Sequence, residues 1–179
     1  MSTPQSQNIS IPDLRSELKG EVIGPDDAAY DGARQVFFKG FDRRPAAVVR
    51  VAGADDIARV VTRTRESGLE LAVRSGGHHR AGYGTSEGGI VIDLSGMRAL
   101  DIDADAKTAW VEIGSTAGEY TNAVGERGRV TGLGDTGTVG IGGITLGGGI
   151  GFLVRKYGLT IDDLLAAEVV TADGEIVQA

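Results

Sequence analysis

Residues 71–84 read LAVRSGGHHRAGYG, a short apolar strand that runs into paired glycines, two histidines and further glycine. A strand that ends in a tight glycine turn directs bare backbone N–H groups towards one place, and such a nest binds anions. An imidazole then stands beside the nest. On these residues alone, an ordinary β-turn with two surface histidines is an equal alternative to an anion-binding site.

A second glycine-rich segment, the glycine belt (residues 132–151), reads GLGDTGTVGIGGITLGGGIG and favours the binding interpretation. Glycine supplies 29 of the 179 residues, and its clustering without a period argues against collagen-like and solenoid folds. Apolar residues such as Val139, Ile141 and Ile144 are interleaved with the glycines, which argues for a packed segment over a flexible linker. We expect the belt to lay extended backbone along a long anionic ligand.

Two common nucleotide-binding motifs fit the belt poorly. Gly132, Gly134 and Gly137 match the GxGxxG spacing, but a helix is predicted before them, whereas a dinucleotide-binding fingerprint follows a strand and opens a helix. No GK[ST] follows a glycine run, which excludes an NTPase phosphate loop.

The first half of the chain predicts helices followed by a parallel unit. Residues 1–10 are expected to be disordered, and residues 11–18 and 26–37 to form helices, the second anchored to the core by Phe37 and Phe38. Strands at residues 46–51 and 69–73 enclose a helix with an i, i+3, i+4, i+7 apolar pattern, so residues 45–73 predict a right-handed parallel βαβ unit.

The second half predicts antiparallel strands around one long helix. Strands are expected at residues 89–94, 99–102 and 108–113, joined by turns and therefore antiparallel. A helix over residues 116–125 opens with a capping box of Thr116 and Glu119. A helical turn at residues 152–157 and strands at 165–171 and 175–177 follow. The predicted fold class is α+β with two lobes: an N-terminal helical segment (1–40) and a domain (41–179) whose lobes span approximately 41–102 and 103–179, with a crevice between them.

The amino-acid composition limits the kinds of partner and site that the protein can have. With 25 acidic against 18 basic residues the net charge is -7, and no basic run is present, so we expect no nucleic-acid partner. The sequence has no cysteine, which removes disulfides and thiol nucleophiles, and its two histidines are adjacent, so no metal site is expected. The polar N-terminus and the lack of a run of ~20 apolar residues predict a cytoplasmic protein with no membrane partner.

Three segments together, VRSGGHHRAGYG, TGTVGIGGITLGGGIGFLVRKYG and DDLLAAEVVTADG, resemble the PCMH-type FAD-binding domain of the vanillyl-alcohol-oxidase superfamily. Within it, the likeness is to the berberine-bridge and 6-hydroxy-D-nicotine oxidase group. The resemblance implies that FAD lies extended between two lobes and that His78 bonds covalently to the 8α-carbon of the flavin. Thr136 stands where members with two covalent links carry a cysteine, so the resemblance implies one link only.

The resemblance also assigns residue roles. It implies a Val139 side chain that acts as a dioxygen gate and a catalytic base that lies outside this chain. It implies cofactor contacts from Arg74, Ser75, Gly76, Gly77, His79, Gly82, Thr136, Gly137, Thr138, Gly142, Gly147, Gly149 and, near the adenine, Val170.

The function implied is that of an oxidase that transfers a hydride from a carbon bearing oxygen or nitrogen in a small-molecule substrate to FAD, and then passes the electrons to dioxygen. Members of the superfamily are much longer, so we expect a domain that is truncated before its C-terminal part and inactive alone. The alternatives are a non-catalytic module that binds a nucleotide or another anion, and an inactive truncated relic.

Overall fold

A computed structural model describes residues 9–179, so the disorder predicted for residues 1–10 falls almost entirely outside the described residues. The first helix, α1 (Ile11–Glu17), begins at Ser10, whose side chain accepts a hydrogen bond from the Asp13 N–H at 3.3 Å. Leu14 is buried on its inner face. The helix predicted for residues 11–18 is confirmed.

A four-stranded sheet forms the core. Its strands are β1 (Glu21–Ile23), β2 (Ala47–Arg50), β3 (Leu71–Arg74) and β4 (Ile90–Asp93), in the order β1-β2-β4-β3. Helix α3 (Ala54–Ser67) connects β2 to β3, and these two strands run parallel, as predicted, but with β4 between them. The sheet buries Val49, Ile90 and Ile92 on one face and Val48 and Val91 on the other.

The antiparallel arrangement expected for residues 89–94 is wrong. β4 pairs in parallel with both β2 and β3, and all four of its residues are buried. A central strand covered on both faces reads as a continuous apolar run, and that run was interpreted as a hairpin strand because turn-rich segments flank it.

The helix expected at residues 26–37 is also largely wrong. Only α2 (Tyr30–Ala33) is helical, and the chain then turns so that the Phe37 N–H donates to the Gly77 carbonyl at 3.2 Å. Val36, and not Phe37, enters the core, since 54% of Phe37 is exposed. The N-terminal segment is not wholly helical, because β1 pairs antiparallel with β2.

The second half contains the predicted hairpin and helix. β5 (Leu100–Asp103) and β6 (Thr108–Val111) are antiparallel, and β5 crosses the lobe boundary predicted at residue 102. Helix α4 (Ala117–Gly125) has the predicted capping box: the Glu119 N–H donates to Thr116 Oγ1 at 3.3 Å, and the Thr116 N–H donates to Glu119 Oε2 at 2.8 Å. The division into lobes stays a prediction.

The glycine belt is not extended throughout, as was expected, because it contains the short helix α5 (Ile141–Leu146). Ile141 and Gly142 are buried in it, so packing outweighs the low helix propensity of glycine. The expected helical turn is α6 (Val154–Tyr157), and a 3-10 turn spans Thr160–Asp163. The last two predicted strands are confirmed as the antiparallel hairpin of β7 (Glu168–Val170) and β8 (Ile176–Gln178), which packs against α3.

Candidate functional site

The glycine turn that follows β3 (residues 75–84) meets the glycine belt at one point, where Gly76 lies against Gly140. A Cβ atom built on Gly76 would overlap the backbone nitrogen of Gly140, and one built on Gly140 would overlap the backbone nitrogen of Gly76 and the Ser75 hydroxyl. The two main chains are therefore in direct contact, and this closeness requires glycine at both positions.

A third segment, residues 113–118, holds both glycine segments in place. The Ser75 hydroxyl donates to the Ile113 carbonyl, and Gly142 packs within 3.2 Å of the Ile113 Cβ, measured from the position of an added Cβ. The belt also pairs antiparallel with this segment, through the bonds Ala117 N to Val139 O (2.8 Å), Gly118 N to Gly137 O (2.9 Å) and Ile141 N to Ser115 O (3.0 Å).

His78 is the half-buried imidazole of this site. Its ring stacks on Phe37 with centroids 4.0 Å apart and planes 21° apart. Burial lowers the pKa of His78 below its usual value, and the neighbouring main chain of Thr138 acts in the opposite direction. At neutral pH the ring is therefore uncharged and keeps a lone pair for bonding.

His79 lies in different surroundings. Its ring is exposed and packs on Tyr83 with centroids 4.6 Å apart and planes tilted by 36°. Its Nδ1 accepts a hydrogen bond from the Ala81 N–H at 3.1 Å. Of the two adjacent histidines, only His78 is enclosed at the junction of the turn and the belt.

The Arg74 side chain has a structural role. Its guanidinium is buried and donates to the Ala33 carbonyl (2.6 Å), the Gln35 carbonyl (3.1 Å) and Asp93 Oδ2 (3.1 Å). It thereby connects the ends of β3 and β4 to the segment that carries Phe37. The Arg74 guanidinium is therefore not free to bind a cofactor. The cofactor contact expected from Arg74 stays a prediction.

The remaining predicted residues divide between the junction and other parts of the fold. Gly77 has φ +71°, which turns the chain towards His78. Gly82 lies against the Phe41 ring, and Gly149 lies against the Thr160 side chain. Val170 pairs with Ile176 in the hairpin that packs on α3. The junction brings together Ser75, Gly76, Gly77, His78, Thr138, Val139 and Gly142, with Thr136 and Gly137 in the exposed loop that leads into it and Gly147 at the end of α5.

The chemistry of this junction fits a flavin nucleotide. Residues 135–138 present exposed backbone and threonine hydroxyls next to the imidazole, which suits a phosphate-bearing ligand. Leu146, Ile150 and Phe152 farther along the chain are 84%, 74% and 87% exposed, and they offer an apolar surface of the kind a flat ring system covers.

Residues 9–179 lack two other kinds of feature, a metal cluster and a membrane-spanning helix. That range contains no group of three or more His, Cys, Asp or Glu residues arranged to hold a metal ion. Within the same range, the helices are too short or too polar to cross a bilayer.

The model of the FAD binding domain family matches residues 45–179, three quarters of the chain. The chain belongs to this family. The match contains both glycine segments and His78, and it identifies the protein as a PCMH-type FAD-binding domain related to 6-hydroxynicotine oxidase and berberine bridge enzyme-like proteins.

The FAD-binding domain is similar to several oxidases. (R)-6-hydroxynicotine oxidase of Paenarthrobacter nicotinovorans is 38% identical over 160 residues, which are 89% of this chain and 35% of that protein. The solved structure of 6-hydroxy-D-nicotine oxidase from Arthrobacter nicotinovorans gives a TM-score of 0.89 at 38% identity, over 90% of this chain and 36% of that one.

Glucooligosaccharide oxidase of Acremonium strictum, whose structure is described with a 6-S-cysteinyl, 8α-N1-histidyl FAD, gives a TM-score of 0.89 at 30% identity, over 96% of this chain and 36% of that one. The FAD-binding domain thus spans about a third of the length of the relatives it matches.

Phe37 and residues 113–118 belong to the site although the sequence alone did not indicate it. Phe37 was assigned to the core as a member of an aromatic pair, and nothing in the sequence locates it beside His78. Residues 113–118 carry the capping box of α4, which explains a helix start but does not indicate that the same residues pair with the belt.

Proposed function

We propose that this FAD-binding domain is the flavin-holding portion of an oxidoreductase that oxidises a carbon bearing oxygen or nitrogen in a small-molecule substrate. The hydride would pass to FAD attached covalently through His78, with dioxygen as the final acceptor. The contact of the glycine turn with the belt, beside an uncharged and half-buried His78, carries this proposal.

The surroundings of His78 support it as the point of attachment. A nitrogen nucleophile needs its lone pair, and burial favours the neutral ring that supplies one. His79 is a poorer choice, because its ring is exposed and its Nδ1 already accepts the Ala81 N–H. This sequence has no cysteine, so the link proposed within this chain is of the histidyl type alone.

In the proposed attachment, one imidazole nitrogen of His78 would form a C–N bond to the 8α-carbon and lose its ring proton, and that carbon would lose one hydrogen as a proton. The two electrons released would pass through the flavin to dioxygen, which would take up the two protons and become hydrogen peroxide. Bound FAD would supply the hydride acceptor for the substrate.

The other residues of the junction would bind and orient the cofactor. The backbone of Thr136, Gly137 and Thr138 would face the phosphates. Val139 lies beside Gly76, where a small side chain would leave dioxygen a path to the flavin. We propose that the catalytic base and the groups that bind substrate come from a part of the oxidoreductase outside this chain.

The experiment that tests the proposal is acid precipitation of the purified flavoprotein, followed by peptide mapping. We expect a yellow pellet with the flavin on the peptide that contains His78. His78→Ala should leave only flavin that stays in the supernatant, and the control His79→Ala should keep the colour in the pellet.

Flavin on His79, or a colourless pellet from the unaltered protein, would contradict the covalent link. A protein that binds FAD but is reduced by none of a panel of amines, alcohols and sugars would instead be a non-catalytic nucleotide-binding module.

A further inference from the structure

The aromatic stack of Phe37 on His78 belongs to no motif and places a half-exposed phenylalanine on the ring that the proposed function uses. The two ring centroids are 4.0 Å apart with planes 21° apart, close to a parallel stack. Phe37 is 54% exposed, so its ring contributes little to the core. A large apolar side chain kept at the surface against an imidazole suggests a role in positioning that imidazole.

Hydrogen bonds and packing contacts hold Phe37 and its neighbours in the chain in place. Its N–H donates to the Gly77 carbonyl at 3.2 Å, directly before His78. Two residues earlier, the Gln35 carbonyl accepts from the buried Arg74 guanidinium, and the adjacent Val36 is buried. Phe38 packs edge-on against Phe37, with centroids 5.1 Å apart. The position of the Phe37 ring is therefore fixed by contacts that do not involve His78 itself.

We propose that Phe37 is a positioning residue for His78: it covers one face of the imidazole, keeps the ring in the orientation needed to bond the flavin, and leaves only the opposite face and the ring edge accessible. This inference rests on the proposed function, since it assigns Phe37 to the attachment step. A stack restricts ring rotation about the side-chain bonds, and fixing a reacting group in one orientation raises the rate of its reaction.

The Phe37 ring stacks on the His78 ring, and burial lowers the pKa of that imidazole. Arg80, on the same turn as His78, is exposed, and other charged side chains on the elements next to the ring already have partners. These are Arg34 with Asp31 and Asp42, Lys39 with the Gln35 amide, Arg74 with Asp93, and Asp135 with Thr136. Removal of the Phe37 ring should therefore change the solvation of His78 without releasing a new charge.

The first test needs no flavin. In a His79→Gln background His78 is the single histidine of this 179-residue sequence, and its ring signals can be titrated by NMR. We expect Phe37→Ala to raise the midpoint towards the ordinary value for histidine of about 6.5, since the ring becomes more hydrated. Phe37→Tyr, which keeps the stacked ring, should restore the original midpoint. Tyr83→Ala, which removes an exposed aromatic ring of the same turn outside the Phe37–His78 stack, is the matched control and should leave the midpoint unchanged.

The second test measures the rate at which FAD becomes covalently attached to the flavin-free oxidoreductase, across a range of pH. We expect Phe37→Ala to slow attachment roughly 2- to 13-fold, the factor corresponding to one aromatic stack, and to shift the pH profile in parallel with the NMR midpoint. Phe37→Tyr should recover the rate, and Tyr83→Ala should match the unaltered protein.

The outcomes separate this inference from the proposed function. If peptide mapping finds no flavin on His78 in the unaltered protein, the proposed function fails, whatever the NMR titration shows. If flavin is on His78 but Phe37→Ala leaves both the attachment rate and the titration midpoint unchanged, the proposed function stands and the positioning role of Phe37 is refuted.

Discussion

The contact of Gly76 with Gly140 predicts that adding one methyl group at the junction damages both folding and flavin binding. In Gly76→Ala the new Cβ would overlap the Gly140 nitrogen and lie 2.9 Å from the Gly140 Cα and 3.1 Å from the Val139 carbonyl carbon. All three neighbours are main-chain atoms, so the clash cannot be relieved by rotation of a side chain. The turn that carries His78 and the belt would have to move apart.

The expected loss in the free energy of unfolding follows from overpacking. Insertion of a methyl group into a closely packed region destabilises a protein by about 1–3 kcal/mol. Because the atoms in the way belong to the backbone, we expect the cost for Gly76→Ala to lie at the upper end of this range. For a domain of this size each kcal/mol lowers the melting temperature by roughly 2–4 °C. We therefore expect Gly76→Ala to melt roughly 6–12 °C lower than the unaltered protein.

Gly143 provides a matched control within the belt itself. It lies inside α5 and is exposed, and an added Cβ would meet no heavy atom within 4 Å. Replacement of a helical glycine by alanine removes conformational freedom from the unfolded chain and gains about 0.5–1 kcal/mol. Gly143→Ala should therefore melt at or slightly above the temperature of the unaltered protein.

The assay compares melting curves of the two variants by circular dichroism and then the fraction of each that carries acid-stable flavin. We expect a lower melting temperature and less attached flavin in Gly76→Ala alone. If Gly76→Ala and Gly143→Ala melt together and retain equal flavin, the two main chains are not in contact, and the proposed assembly of the site is wrong.

Val139→Leu should slow reoxidation of the reduced flavin by dioxygen in a stopped-flow experiment, since a larger side chain would narrow the path beside Gly76; an unchanged rate would remove the gating role. Residues 1–179 with FAD should release no hydrogen peroxide from amines, alcohols or sugars, because they would lack a base worth roughly 10²–10⁴-fold and the groups that position substrate; sustained peroxide release would show a complete active site. Asp56→Asn should lower stability at pH 7 by about 1–3 kcal/mol, since the buried carboxylate accepts the N–H groups of Lys19, Gly20 and Ala52. Burial raises the Asp56 pKa, but these three bonds outweigh it and hold the pKa below 3.8, so the gap in chemical denaturation between variant and unaltered protein should close only as the pH falls below that value; a gap that stays constant down to pH 2 would contradict this role.

The sequence was a good guide to structure wherever the cause of the structure is local. The capping box of α4 needs only Thr116 and Glu119, which are three residues apart, and both of its hydrogen bonds form. The β5–β6 hairpin likewise depends on neighbouring residues. The helix predicted at residues 26–37 failed because its second half is held by a distant partner, the Gly77 carbonyl, which no local pattern reveals.

The parallel placement of β4 also explains what the Arg74 side chain does. With residues 89–94 expected to be antiparallel, the sequence offered no partner for Arg74, and its cofactor contact was implied by the family resemblance alone; that contact stays a prediction. With β4 parallel to β3, Arg74 and Asp93 are register partners and form a buried ion pair. The continuous apolar run GIVI before Asp93 was the signal that could have placed β4 between two parallel strands.

The two glycine segments lie about sixty residues apart in the sequence, and the structure shows why neither motif alone defines the site. The turn is attached to the parallel sheet through β3, whereas the belt is attached to residues 113–118 through antiparallel backbone bonds. The Ser75 hydroxyl bond to Ile113, the glycine contact at Gly76 and the main chain of Thr138 beside His78 connect these two frameworks. Two of these connections depend on very small side chains, a hydroxyl and a hydrogen atom, and this is why the contact at Gly76 is the sharpest place to test the proposed site.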